Sequence, residues 1–536
     1  MAIETRPAPS TDQRTPAELE EQARASAGPR PGADEAHIPP VRLWTGRILG
    51  PVLALLTYYL LPDDATLSVA ARTTAAVVVL VAVWWMTEAL PLSATALIPI
   101  VAFPLLGVLE AGEATAPYAS PTVFLFMGGF MIAIAMQKWN LHKRIALRTM
   151  RLVGTKPRQL ILGVMIATAF LSMWVSNTAT TLMMLPIGIS VLALVGGAAE
   201  QDGDDTSVRN FSVCLMLAIA YAATIGGLST LIGSPPNLIM AGFVEQNYPE
   251  ISIGFADWMK VGVPVSVVFL IIAWVLLTRV IYPSKIAEIA GGKRVIQDEL
   301  DKLGPMSRGE WNVLVVFVLT AALWAFREPI TGFEPLTSVL PFMANLDDAS
   351  VAIAAALVLF LLPAARDRSA KKVQFTLDWR TAQAGLPWGV LLLFGGGLSL
   401  AKAVQDTELS DYIGAEVGGL GGLPTVLLIA AICLIVLLLT ELTSNTATAA
   451  TFLPVLGGVA VGIGLDPLLL LVPAALAATC SFMLPVGTPP NAIVFGSGQV
   501  TMGQMVRAGI WLNLIGVVLI TGMVLLLGGW AMGIRF

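Results

Sequence analysis

Two stretches of this chain set neutral polar residues inside strongly apolar surroundings. They are Ser172-Met-Trp-Val-Ser176-Asn177-Thr178-Ala-Thr180 and Thr440-Glu-Leu-Thr443-Ser444-Asn445-Thr446-Ala-Thr448. Serine, asparagine and threonine donate and accept hydrogen bonds without carrying charge. In hydrocarbon such groups must find partners, because an unsatisfied one costs several kcal/mol. A lone serine or threonine in an apolar helix bonds a carbonyl one turn back and needs no further reason. Six such side chains in two matched Ser-Asn-Thr clusters point instead to a binding site for something polar.

The duplication runs in register over a long window. Leu125-Phe126-Met-Gly128-Gly129 with Gln137 recurs as Leu393-Phe394-Gly-Gly396-Gly397 with Gln405, 268 residues on. The two triplets keep that offset, and so do Pro186 and Pro454. Further along, Gly233-Ser234-Pro235-Pro236-Asn237 recurs as Gly487-Thr488-Pro489-Pro490-Asn491 after 254 residues. The 14 missing residues fall between Pro186 and Gly233, where the first copy carries the polar stretch Glu200-Gln-Asp202-Gly-Asp204-Asp205. Each proline pair interrupts a long apolar helix, removing a backbone donor and freeing carbonyls. At membrane depth those carbonyls need a cation or a donor. An internal repeat with broken apolar segments in corresponding places is the sequence mark of a secondary transporter's site.

The elements that must position these residues follow from composition. The chain has 536 residues, 56% hydrophobic and 12% charged, with a mean hydropathy of +0.79. Soluble domains carry roughly twice that share of charge, so an all-α polytopic membrane protein is expected. Cys214, Cys433 and Cys480 stand far apart in apolar context, and neither His37 nor His142 lies near them. They form neither a disulfide framework nor a metal cluster. Residues 1–43, rich in Pro, Ala, Glu and Arg, are expected to be a disordered cytoplasmic tail without a signal peptide. The membrane domain is then 44–536.

The apolar runs are 46–61, 67–86, 92–109, 121–137, 211–243, 258–282, 311–326, 350–363, 386–404, 469–497 and 508–533. Two further runs, 159–197 and 424–463, hold the triplets. Each is too long for one span and too short for two spans plus a loop. Both are expected to be re-entrant hairpins with the triplet at the tip, which the bilayer tolerates where the backbone lines a cavity.

Lys and Arg set the orientation. They concentrate in 138–158, 283–310 and 366–380, whereas Asp63-Asp64, Glu110 with Glu113, Glu245 with Glu250, Asp347-Asp348 and Asp406 with Glu408 and Asp411 mark the other side. About 11 spans with a cytoplasmic N-terminus and an outside C-terminus satisfy the positive-inside rule throughout. Equivalent elements are then an odd number of spans apart, so the repeats are inverted. Repeat 1 covers about 66–283 with hairpin 159–197, and repeat 2 about 310–534 with hairpin 424–463. The two tips meet from opposite faces.

Other classes fit poorly. Intramembrane proteolysis needs Ser/His, paired Asp or zinc, which two badly placed histidines do not supply. A phosphate loop ending in Gly-Lys-Ser/Thr is missing, which speaks against ATP-driven pumping. A channel has no use for two broken-helix hairpins. Neither an enzyme nor a nucleic-acid binder is expected.

With these motifs in place, the sequence resembles the divalent anion:sodium symporters, the INDY-type carboxylate transporters, over most of residues 45–536. The paired Ser-Asn-Thr and paired Gly-Ser/Thr-Pro-Pro-Asn motifs carry the resemblance. It implies a homodimer of the elevator type in the plasma (inner) membrane, without cofactors and with co-transported sodium. A scaffold of spans 1–4 and 7–9 would stay still while the hairpins and spans 5, 6, 10 and 11 carry the site. One sodium would meet Ser172, Ser176, Asn177 and the backbone at Gly233. The other would meet Thr440, the backbone at Thr443, Asn445 and the backbone at Gly487. Position 443 often holds a smaller residue in the family, a departure that matters little where its carbonyl is the ligand. Carboxylates of the substrate would meet Asn177, Thr178, Asn445 and Thr446, with Ser234, Pro235, Thr488 and Pro489 shaping the pocket. The expectation is sodium-coupled symport of C4 dicarboxylates such as succinate, malate and fumarate. Its alternatives are a sodium-independent dicarboxylate exchanger and a citrate- or sulfate-type anion permease.

The inverted arrangement has a direct test. A single cysteine at position 203 is expected to react with an impermeant reagent only from the cytoplasm, and one at 410 only from outside. Labelling of both from one side would make the repeats parallel.

Overall fold

The hairpins form as the residue pattern requires. Pro157 starts the helix Pro157–Ser172, where its missing N–H costs nothing. Residues 173–176 break the helix, and the chain returns as Asn177–Asp202. The second copy repeats this with Thr425–Thr440, a break over 441–444, and Asn445–Gly462. Pro186 and Pro454 both lie inside the returning helices. The computed structural model describes residues 40–62, 67–154, 156–202, 205–286, 292–367, 372–416 and 422–536. The expected tail lies outside these apart from its last four residues, as do Asp63-Asp64 and position 203.

Each hairpin packs on the long helix that follows it, and that helix is itself broken. In repeat 1, Asp205–Gly227 gives way to an irregular stretch with one 3-10 turn at Leu231–Gly233. Helix then resumes as Pro235–Asn247. In repeat 2, Leu468–Thr479 stops and Pro489–Gly496 resumes. Both restarts carry proline at the first helical position. The restarted helices change partners: Pro235–Asn247 packs on the second hairpin's Asn445–Gly462, and Pro489–Gly496 on the first hairpin's Asn177–Asp202. This exchange brings the four breaks of the two repeats together.

A second body of helices stands against these. Pro121–Lys138 packs closely on Asp348–Leu361, where a methyl at Gly128 would lie 2.7 Å from the Ala352 backbone. Helix Arg308–Ala325 packs on both. Eight helices of the described residues are long and apolar enough to cross a membrane. Seven of them match expected spans, and the eighth is the hairpin helix Asn445–Gly462. Runs 92–109, 350–363 and 469–497 instead hold helices of 10–17 residues, and all but the last residue of run 46–61 lies in the helix Pro40–Leu60.

The segments read as charged loops are more structured than their composition indicates. Residues 138–158 contain an amphipathic helix, Leu141–Val153, that buries Leu141, Arg144, Leu147 and Met150 along one stripe. Residues 283–310 contain the helix Gly292–Leu303. In 366–380 a short antiparallel ribbon pairs Pro363–Asp367 with Lys372–Phe375, the described strands of an otherwise helical chain. Asn312 holds it by donating to the Pro363 carbonyl and the Thr376 hydroxyl.

Arg144 is the anchor of these charged segments. Its Nε lies 2.6 Å from Glu310 Oε1, with side-chain exposures of 6% and 4%. Its remaining N–H groups donate to the carbonyls of Gly304 and Leu303. Glu310 also closes the capping box with Ser307 that starts its helix. Removing one partner of such a pair strands a buried charge, so Glu310→Ala is expected to cost about 3 kcal/mol or more, read as a lower melting temperature of the purified protein.

Candidate functional site

At the first tip, Ser172 Oγ donates across the break to Asn177 Oδ1, five residues on. Asn177 is the first residue of the returning helix, and Ser176 Oγ accepts from the Ala179 N–H within its first turn. The amide of Asn177 faces Gly227, at the end of the following helix of the same repeat, and the Gly233 carbonyl borders the same space. A methyl at Gly227 would lie 2.8 Å from Asn177 Oδ1, 2.9 Å from its Nδ2 and 3.1 Å from the Gly233 carbonyl oxygen. Only a residue without Cβ leaves room for that cradle. Gly226 is needed for a different reason, since a methyl there would come within 2.3 Å of the Ala169 carbonyl on the hairpin.

The second tip repeats the geometry with oxygens in excess of protons. Thr440 Oγ1 lies 2.7 Å from Asn445 Oδ1 and 2.9 Å from the Ala478 carbonyl, with a single proton to give. Asn445 Oδ1 also faces the carbonyls of Gly487 at 3.1 Å and Ala478 at 3.3 Å. Two arrangements satisfy this cluster. Either the amide turns so that its nitrogen donates to the carbonyls, or a cation sits among the oxygens. Hydroxyl, amide and carbonyl oxygens are the donor set of a hard cation. The residues at this tip therefore fit sodium, and those at the first tip supply the same atom types.

The broken helices are held open by a matched pair of stitches. Asn237 Nδ2 donates to the carbonyls of Gly227 (3.0 Å) and Thr230 (2.8 Å). Asn491 Nδ2 donates to those of Ser481 (3.2 Å) and Leu484 (3.1 Å). Both asparagines are fully buried, and their anchors stand ten and seven residues back in each copy. Trp258 and Ser266 answer two more freed carbonyls, those of Leu228 and Ile225.

The structure thus brings together Ser172, Asn177 and Gly233 at one tip and Thr440, Asn445 and Gly487 at the other. Thr178 and Thr446 are half-buried beside them, on the first turn of each returning helix. The Thr443 hydroxyl turns back to Leu439 and Thr448, which leaves its backbone as the part available to a ligand. Ser234 is buried and bonded to Thr479 Oγ1 at 2.9 Å, across the repeat boundary. Thr488 is buried as the helix cap of Asn491, while Pro235 is half-buried and Pro489 exposed. The hydroxyls of Ser234 and Thr488 are therefore engaged in holding the breaks.

Sequence reasoning passed over the Ala478 carbonyl, Gly227 and Glu441. Glu441 was visible as the one charge inside the run 424–463, and an ionisable residue at that depth is a functional signal by itself. The cavity of about 720 Å³ between Pro121–Lys138 and the segment after Asn247 lies away from the triplets. Glu245, Asp347 and Asp348 outnumber Arg327 in its lining, which makes it a poor seat for an anion.

Fold and site together define an α-helical membrane protein built on two paired broken-helix modules. The chain belongs to the family described as the sodium:sulfate symporter transmembrane region, which it matches over residues 42–534. It is 43% identical over 479 residues to the sodium-dependent dicarboxylate transporter SdcS of Staphylococcus aureus (strain NCTC 8325 / PS 47), covering 89% of each chain. The same identity and coverage hold for SdcS of the bovine strain RF122 / ET3-1. The fold also matches the crystal structure of the Alcanivorax borkumensis YdaH transporter, with a TM-score of 0.57 at 14% identity. That match covers 84% of this chain and 98% of the other.

Gly227→Ala isolates the first cradle. The variant is expected to fold yet to lose most of the thermal stabilisation that sodium gives the wild type, as read from melting curves in sodium against choline.

Proposed function

We propose that this protein is a secondary transporter that couples entry of C4 dicarboxylates such as succinate, malate and fumarate to sodium. The carrying observation is the pair of tips in which Ser172 or Thr440 backs an asparagine at the start of a helix. Helix N-termini favour anions, and the amides and hydroxyls of Asn177, Thr178, Asn445 and Thr446 donate to carboxylates. Oxygens behind each asparagine suit a cation. Sodium bound there completes the pocket and offsets the substrate's charge, so binding is ordered with the cation first. The name and similarity of SdcS support this choice of substrate and ion.

Coupling answers a real barrier. A dianion entering an inside-negative cell is opposed by about 4.6 kcal/mol per 100 mV. Two sodium ions cancel that term, and a third adds drive. The transporter is read as an elevator-type homodimer in the plasma membrane, with about 11 spans, inverted repeats over about 66–283 and 310–534, and the N-terminus inside. The helices around Pro121–Lys138, Arg308–Ala325 and Asp348–Leu361 belong to the fixed frame, and the hairpins with their broken helices to the moving part.

The test is uptake into proteoliposomes. Succinate uptake is expected to require sodium rather than choline, with a Hill coefficient for sodium above one, and to be competed by malate and fumarate before citrate or sulfate. Asn177→Ala and Asn445→Ala are each expected to lose it at least a hundredfold while inserting normally. Undiminished sodium-free uptake driven by internal dicarboxylate would show an exchanger instead. Preferential competition by sulfate or citrate would move the substrate class.

A further inference from the structure

Glu441 follows Thr440 directly, at the break of the second hairpin, and is 3% exposed. Its carboxylate receives five donors. Ser481 Oγ lies at 2.9 Å, the N–H groups of Phe482, Met483 and Leu484 at 2.8, 3.0 and 3.0 Å, and Asn513 Nδ2 at 2.7 Å. An ionised carboxylate only accepts, and every partner here donates. Among the described residues no lysine or arginine pairs with it; each of the other buried or half-buried ion pairs, such as Arg144 with Glu310, lies elsewhere. A charge at this depth is costly and calls for a partner.

The partner's position is marked by Gly487. A methyl there would lie 3.2 Å from Glu441 Oε2, while the Gly487 carbonyl stands 3.1 Å from the Asn445 amide. The carboxylate therefore abuts the oxygen cluster without belonging to it. The first hairpin has no counterpart. Its equivalent position is Met173, whose carbonyl accepts from Thr230 Oγ1 where Glu441 in the other copy accepts from the Leu484 N–H.

We propose that Glu441 is the fixed counter-charge of the second cation site, so that this site takes sodium first and more tightly than its neutral twin. The inference rests on the reading of the two tips as sodium sites. Glu441 acts as a positioning residue in two ways. Its charge attracts the ion through the Gly487 edge of the cluster, and its hydrogen bonds hold residues 481–484 in the open conformation that presents the Gly487 carbonyl. Opposite charges a few ångströms apart in a partly buried setting change an affinity by roughly ten- to a hundredfold.

Sodium binding to the purified full-length protein, without substrate and with choline holding ionic strength constant, tests this by calorimetry and by the rise in melting temperature. The wild type is expected to titrate in a tight and a weak phase. Glu441→Gln is expected to weaken the tight phase tenfold or more, while Glu441→Asp, which keeps the charge, stays within about threefold. Ser172→Ala is expected to weaken only the other phase. Equal losses in E441Q and E441D would assign a merely structural role and overturn the inference. So would an E441Q titration within threefold of a wild type that binds sodium, with the sodium-site reading left standing. Should E441Q fail to fold, the order of filling decides: Asn445→Ala must remove the tight phase and Ser172→Ala must spare it, and the reverse result overturns the inference. A wild type that sodium does not stabilise at all overturns both readings.

Discussion

Backbone satisfaction within the membrane is the constraint on which the rest of this structure depends. A helix that stops at mid-depth frees carbonyls and N–H groups that water cannot reach. This chain breaks its apolar helices four times, at residues 173–176, 228–234, 441–444 and 480–488. Specific side chains answer many of the freed groups. Asn237 and Asn491 take two carbonyls apiece, Trp258 and Ser266 take two more, and Glu441 takes three consecutive N–H groups. At the second tip Thr440 has one proton for two oxygens, those of Asn445 and Ala478, so the accounting is left open there.

That accounting explains what could be read from the residues. The hairpins were legible because 39 apolar residues fit neither one span nor two, and the breaks because Pro235 and Pro489 forbid helix continuation. The offset of 268 was visible as identical letters, and it reappears as the bonds Ser172 to Asn177 and Thr440 to Asn445. The exchange of restarted helices between repeats was not legible, because it depends on packing between segments about 200 and about 300 residues apart. Nor was the engagement of the Ser234 hydroxyl by Thr479, since Thr479 lies outside every motif. The helix Leu141–Val153 was hidden by its charge. Four Lys and Arg residues suggest a loop until the buried stripe that includes Arg144 is seen.

The two copies match in chemistry but differ in their seating. Trp174 at the first tip stacks on Phe255 and meets Phe317 edge-on, with Phe255 in turn stacked on Trp324. Ile232 beside it is 8% exposed and packs over Gly129. Their equivalents in the second copy, Leu442 and Val486, are 61% and 72% exposed. The first tip is thus docked on the helices around Pro121–Lys138 and Arg308–Ala325, and the second stands clear of them. Near-identical motifs therefore occupy unlike surroundings.

The asparagine stitches also work as a ruler. Each measures ten and seven residues back along the chain, and the measure is the same in both copies although residues 228–231 and 482–485 share no identity. A residue inserted between Thr230 and Asn237 would shift both anchor carbonyls out of register at once. The stretch from Pro186 to Gly233, by contrast, is 14 residues longer than its twin with no mark on either stitch. The added length lies in the helices on either side of the junction, Asn177–Asp202 against Asn445–Gly462 and Asp205–Gly227 against Leu468–Thr479, while the spans under the ruler differ in residue type alone.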